Sequence, residues 1–197
     1  MANTNTAGFG LIPAGTLGST PSTQGQGKYF IEAAYNADLF QGSSVRIVNG
    51  YLISAQASIT TSTIGVLNGI FYNAATTKKP TWANWYNQPI TPANSENITA
   101  FVLDNPFQLY VGAMDTAIPQ ADFFETYGLT VTAAGSETSG QSSSTITYGT
   151  RAATANAWRV IRTAEDPDNE DITAAYCSVV VAQNLNQVNS GGLTSAS

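Results

Sequence analysis

The sequence contains no histidine, and this absence excludes several kinds of active site. Ser-His-Asp and Cys-His catalysis, zinc-protease helices and haem ligation all require an imidazole ring. An enzyme built on this chain would need paired carboxylates, a Ser-Lys pair or a borrowed cofactor. No Ser-x-x-Lys motif is present, and no catalytic constellation is evident, so we expect a protein that is not an enzyme.

Cysteine is nearly absent as well. Cys177 is the only one, so the chain forms no internal disulfide. Its neighbours Tyr176, Val179, Val180 and Val181 form an apolar run, which predicts a strand with an inert, buried thiol.

Charge is scarce, and it is mostly negative. Charged residues make up 10% of the chain, compared with about 25% in ordinary soluble domains. Seven Lys and Arg residues are scattered along the sequence, and the net charge is -6. Nucleic acids and anionic membranes attract clustered cations, so we expect neither as a partner.

The N-terminus has no basic region followed by a long apolar run. We therefore expect neither a signal peptide nor a membrane span, and we expect synthesis in a cytoplasm.

The 197 residues, of which 43% are hydrophobic, suffice for one domain with an additional arm. Short apolar segments separated by turn signals predict an all-β fold, an antiparallel β-barrel or sandwich with long loops. Asn49-Gly50 and Asn68-Gly69 each lie between apolar segments and predict two hairpins. The only helical signal, at 119–125, predicts one or two turns.

Three segments are expected along the chain: an extended N-terminal arm at 1–27, the β domain at 28–183 and a polar tail at 184–197. The arm is rich in glycine and polar residues, yet it contains Phe9, Leu11 and Ile12. We expect it to be mobile in solution and to order on a partner, with these side chains as anchors. Deleting it would then leave the stability of the domain unchanged. Pro13 would mark the point where strand pairing stops or changes sides, because proline has no amide proton.

Three aromatic residues, Trp82, Trp85 and Tyr86, lie in a long predicted connection between Lys78 and Pro92. Aromatic side chains in a loop pack on the edge of the core or form a contact between subunits or with a ligand. The sequence leaves these alternatives open. The Gly- and Ser-rich segment 134–144 predicts a flexible loop.

The acidic residues provide weaker candidates. The segment 165–171 contains five acids and predicts either a solvated turn or a weak Ca²⁺ site, although it lacks the EF-hand pattern. Two facing carboxylates could support glycoside hydrolysis. The candidates are Asp104, Asp115, Asp122 and Glu125, and nothing in the sequence pairs them.

The chain resembles a family of small tailed-phage virion proteins, common in marine phages and encoded near the major capsid gene. The resemblance extends almost end to end. It is carried by Ala7-Gly8-Phe9-Gly10-Leu11 with Pro13, Phe40-Gln41-Gly42, Ile64-Gly65-Val66, Phe71-Tyr72, Trp82, Ala100-Phe101-Val102-Leu103-Asp104-Asn105-Pro106, Thr138-Ser139-Gly140-Gln141-Ser142 and Asp168-Asn169-Glu170.

This resemblance implies a capsid decoration or cement protein on the outer surface of the virion, with the major capsid protein as its partner and no cofactor. The arm residues Phe9, Leu11, Ile12 and Pro13 would then contact the shell. A low-charge β domain has little protection against self-pairing, and capsid junctions favour three-fold symmetry, so we expect a homotrimer. The alternative is a phage fibre, tail or adhesin module that binds host glycans through exposed aromatic side chains.

Overall fold

The computed structural model describes residues 2–18, 25–55, 61–130 and 135–188. Several predicted features lie outside the described residues: Met1 and 19–24 of the arm, Val131, Ala134 at the start of the predicted loop, and 189–197 of the tail.

The fold is all-β and sandwich-like, as predicted, with two antiparallel sheets. The first sheet contains, in spatial order, β1 (Ile12–Thr16), β8 (Gln108–Ala113), β12 (Ser178–Gln183), β11 (Trp158–Thr163), β9 (Thr126–Leu129) and β10 (Ile146–Ala152). The sheet curls, because an isolated bridge joins Met114, just after β8, to Ile146 at the start of β10. Its apolar interior includes Tyr110 and Trp158, whose rings meet edge to face at 5.4 Å.

The second sheet contains, in spatial order, β2 (Gly27–Ile31), β7 (Ile98–Leu103), β5 (Gly65–Asn73), β3 (Ser44–Val48) and β4 (Tyr51–Ser54). A short strand, β6 (Pro80–Ala83), pairs with the far end of β5. This sheet also curls, because β4 lies close to β2. It encloses a second apolar cluster around Ile70, Ile98 and Val102, all of them fully buried.

Helical structure in the described residues is limited to two single 3-10 turns, Ala93–Ser95 and Gln120–Asp122. The second lies within the predicted helical segment 119–125. No helix in the described part of the chain has the length and hydrophobicity to cross a membrane.

One of the two predicted hairpins is confirmed. Asn49 and Gly50, with φ of 50° and 84°, connect β3 to β4, and a two-residue hairpin turn of this type requires positive φ at both positions. The second prediction is wrong, because Asn68 and Gly69 lie inside the continuous strand β5. The register between β5 and β7 shifts between Leu67 and Gly69, so the residues form a β-bulge instead of a turn.

The two sheets are joined by polar contacts as well as by apolar packing. The Gln187 side chain accepts a hydrogen bond from the Ile47 amide at 2.7 Å and donates one to the Ile47 carbonyl at 2.9 Å. Val66 of β5 contributes to the core of the first sheet. Cys177 is a buried free thiol, as predicted, and burial raises its pKa to about 11.

Val102→Asp is expected to abolish cooperative folding. Val102 is fully buried on β7, and an unpaired carboxylate there costs several kcal/mol out of a total stability of about 5–15 kcal/mol. Thr99→Asp, on the outward side of the same strand, serves as the matched control and should still fold. Thermal melting followed by circular dichroism distinguishes the two variants, and a cooperative transition in Val102→Asp would contradict the core assignment.

Candidate functional site

The described part of the N-terminal arm, residues 2–18, is docked on the body of its own chain. Asn3 donates from its side-chain amide to the carbonyls of Asp171 and Ala175, and it accepts from the Asp171 amide at 3.0 Å. The Thr4 hydroxyl and the Asn5 amide both donate to the side-chain oxygen of buried Asn169, at 3.0 and 2.7 Å. The start of the chain is therefore fixed to the segment 166–175.

The arm then continues as a strand of the first sheet. Gly8 lies against the loop between β9 and β10. An added Cβ at Gly8 would lie 2.4 Å from the Ser143 carbonyl oxygen in this loop. β1 pairs with β8, and a bulge separates Pro13 from Gly15. The expectation of a free arm is thus corrected: polar hydrogen bonds and strand pairing hold it on the domain.

The four predicted arm residues lie together at an open cleft of about 190 Å³ between β1 and the second sheet. Leu11 is 2% exposed and belongs to the core, so its side chain is already occupied by its own chain. Ile12 is 44% exposed, Pro13 is exposed, and Phe9 is half-buried. The side chains that remain accessible to a partner are those of Phe9, Ile12 and Pro13.

The predicted aromatic trio does not form a single site. The Trp85 ring stacks on Phe40, with ring centroids 4.9 Å apart, and Gly140 packs against it. Tyr86 is fully buried, its hydroxyl donates to the Tyr35 carbonyl at 2.7 Å, and burial raises its pKa. Only Trp82, which is 53% exposed, faces solvent.

Trp82 instead belongs to an exposed surface on the second sheet, here named the aromatic face and formed by Phe30, Phe71, Trp82 and Phe101. The strand register defines it. Residues directly opposite each other on paired strands project from the same side of a sheet. One row consists of Phe30, Thr99, Phe71 and Trp82, and the adjacent row consists of Lys28, Phe101 and Gly69.

The rings of the aromatic face support one another. Trp82 lies over Gly69, where an added Cβ would be 2.5 Å from the indole ring, and this is the close approach that requires glycine. The Trp82 and Phe101 rings are 5.2 Å apart, and the Lys28 Nζ atom lies 5.9 Å from the Phe101 ring centroid. Phe30 and Phe71 remain 51% and 39% exposed. The result is an exposed, largely apolar surface across four strands on the outer side of the curled sheet, with a cation on it.

The sequence reasoning missed Phe30, Phe71 and Phe101 as surface residues. The usable signal was period-2 alternation: Lys28, Phe30, Thr99 and Phe101 occupy positions opposite in phase to the buried Ile31, Ile98 and Val102.

Three of the four acidic candidates accept hydrogen bonds from tyrosine residues distant in sequence. Asp104 accepts from the Tyr29 hydroxyl at 2.7 Å, and Asp115 accepts from the Tyr148 amide at 2.9 Å. Asp122 pairs with Arg151 and accepts from the Tyr148 hydroxyl. The acidic segment 165–171 anchors the N-terminus. No group of three potential metal-ligating side chains of His, Cys, Asp or Glu occurs within the described ranges.

Comparison of the chain with protein-family models, curated proteins and solved structures finds no match. The functional assignment therefore depends on the residues and on the two surfaces described above, the cleft at β1 and the aromatic face.

Leu11→Ala is expected to destabilise the protein by about 2–5 kcal/mol, because it removes a fully buried side chain. Ile12→Ala, one residue along the same strand and exposed, should change stability by no more than about 0.5 kcal/mol. Urea denaturation measures both. Equal stabilities for the wild-type protein and Leu11→Ala would restore the interpretation of residues 2–18 as an independent arm.

Stability is also expected to fall in alkaline solution. Burial is the main cause that raises the pKa values of Tyr110 and Tyr127, and burial together with the Asp104 carboxylate raises that of Tyr29. The folded-state pKa values of these tyrosines exceed the ordinary value of about 10. Their contribution to the free energy of unfolding is therefore complete below about pH 10 and is lost as the pH rises further. Urea unfolding between about pH 8 and about pH 11 tests this, with Tyr110→Phe as a variant expected to show a smaller decline. A flat profile would contradict the prediction.

Proposed function

We propose that this protein is a structural virion protein that binds the outer capsid shell and stabilises it, and that it acts by binding and not by catalysis. The observation that carries the proposal is the exposure of apolar side chains on β1 beside an open cleft. Ile12 and Pro13 project at this cleft, and Leu17, just beyond β1, is also exposed. Exposed apolar side chains beside a cleft are suited to contact with a protein partner.

The docked position of the N-terminal segment supports this role. The hydrogen bonds of Asn3, Thr4 and Asn5 fix the start of the chain, and buried Leu11 fixes β1 from below. A segment that is already ordered does not lose conformational freedom on binding, so each contact contributes more to affinity. In this proposal the partner is the major capsid protein, contacted by Phe9, Ile12 and Pro13, while Leu11 positions them.

The scarcity of charge is consistent with repeated contacts on a shell. Hydroxyl and amide side chains can form hydrogen bonds without the desolvation cost of burying ions. A modest interface repeated at many lattice positions stabilises the shell through multivalency. The protein would be made in the host cytoplasm and assemble as a homotrimer at the capsid junctions.

Ile12→Asp is expected to weaken binding to capsids that lack the protein by about tenfold or more, because it places a carboxylate in the centre of the contact. Co-sedimentation of purified protein with such capsids measures the affinity. Val188→Asp is the matched control, since Val188 is likewise exposed but lies outside the cleft. Equal binding by Ile12→Asp and the wild-type protein would reject the β1 surface as the shell contact.

A second candidate function is glycan binding by a fibre, tail or adhesin module. The observation that favours it is the Trp82 ring, which lies over Gly69 and presents its outer side to solvent. A ring in this orientation could stack on the apolar side of a sugar. A glycan array probed with the wild-type protein and Trp82→Ala tests this function, which requires binding that is lost in the variant.

A further inference from the structure

We propose that the aromatic face is a contact between two copies of this chain, related by a two-fold axis that lies in the plane of the contact and perpendicular to the strands. The inference goes beyond the proposed function and does not depend on a capsid partner.

The exposed apolar side chains of the surface favour an apolar occupant, and a second copy of the chain supplies one. The four rings come from four neighbouring strands, and Thr99 lies between Phe30 and Phe71 in the same row. Two such surfaces can pack face to face, and the proposed axis then places Phe30, Phe71 and Trp82 of one copy opposite the same residues of the other. In a two-fold contact the same surface meets itself and has to be self-complementary, so no second surface of the chain is needed.

The charges at the two ends of β2 define the orientation. Lys28 lies on the aromatic face, and Glu32 follows Phe30 by two residues, in the same outward phase just beyond the end of the strand. Both side chains are exposed, and the two ion pairs within the described residues, Arg151 with Asp122 and Arg162 with Glu165, involve neither of them.

Rotation about the proposed axis places β2 of one copy over β2 of the other in the opposite direction. Lys28 of each copy then meets Glu32 of its partner, so the symmetric contact contains two ion pairs. Lys78 and Lys79 lie in the turn between β5 and β6, at the opposite lateral edge of the four strands from β2, and so remain distant from Lys28 of the partner. The arrangement therefore brings opposite charges together at the border of an apolar centre, which is the common design of protein interfaces.

The size of the surface predicts a weak dimer. With Phe30, Phe71 and Trp82 about half exposed, the face offers on the order of 400 Å² per copy, below the roughly 800 Å² typical of stable complexes. Dimers should therefore form at high protein concentration in solution. On a lattice that holds neighbouring copies close together, the effective concentration would make the same contact persistent.

Sedimentation equilibrium of the full chain over a wide concentration range tests the proposal. The wild-type protein should show a reversible association to dimers, and Trp82→Ala should weaken it. Lys28→Glu and Glu32→Lys should each raise the dimer dissociation constant by about tenfold, because each single change places like charges opposite each other twice. The double variant Lys28→Glu with Glu32→Lys exchanges the two charges and should restore the wild-type dissociation constant to within about threefold.

Thermal melting of each variant controls for folding, since all three positions are exposed. A second control, Lys78→Glu, changes a lysine outside the proposed contact and should leave the dissociation constant unchanged. A protein that remains monomeric at millimolar concentration would overturn the proposal. Association that depends on Trp82 but shows no rescue in the double variant would overturn the two-fold orientation, and a glycan that binds Trp82 without any self-association would assign the face to a different occupant.

Discussion

The pairing of β5 with β7, including the bulge at Asn68, is the constraint on which the rest of the second sheet depends. Without the additional residue, Leu67 and Gly69 would project from the same side of the sheet. The register shift instead places Leu67 inside with Val102 and Gly69 outside with Phe101. Ile70 consequently enters the core, and Phe71 projects to solvent. One inserted residue thus decides both the packing of the interior and the existence of the aromatic face.

The outer side of the second sheet has two environments. Leu103, at the end of β7, and its partner Val66 on β5 pack against the core of the first sheet. Two residues earlier on β7, Phe101 lies beyond the edge of that contact and begins the aromatic face. The cleft at β1 lies at the boundary and is lined by Leu103 as well as by Ile12. The two candidate binding surfaces are therefore neighbours, and both exist because the first sheet covers only part of the second.

The N-terminal segment shows how polar side chains can order a chain that has no apolar periodicity. Asn3 and Thr4 are unremarkable in sequence, yet their hydrogen-bond partners lie more than 160 positions away. Asn169 is buried among these contacts, so the acidic segment, which is otherwise a largely exposed turn, also serves as an anchor. Gly8 and Gly10, which suggested mobility, instead permit close approach to the neighbouring backbone.

Local sequence alone determined the all-β class, the hairpin at Asn49-Gly50 and the buried position of Cys177, because turn chemistry and short-range hydrophobicity act over a few residues. Tertiary structure placed Asn68-Gly69 within a strand and not in a hairpin turn, since a strand with partners on both edges overrides a local turn preference. It also separated Trp82 from Trp85 and Tyr86, and it brought Trp82 beside Phe71 and Phe101. Which side of a strand is buried depends on what the other sheet covers, and that is a property of contacts between residues distant in sequence.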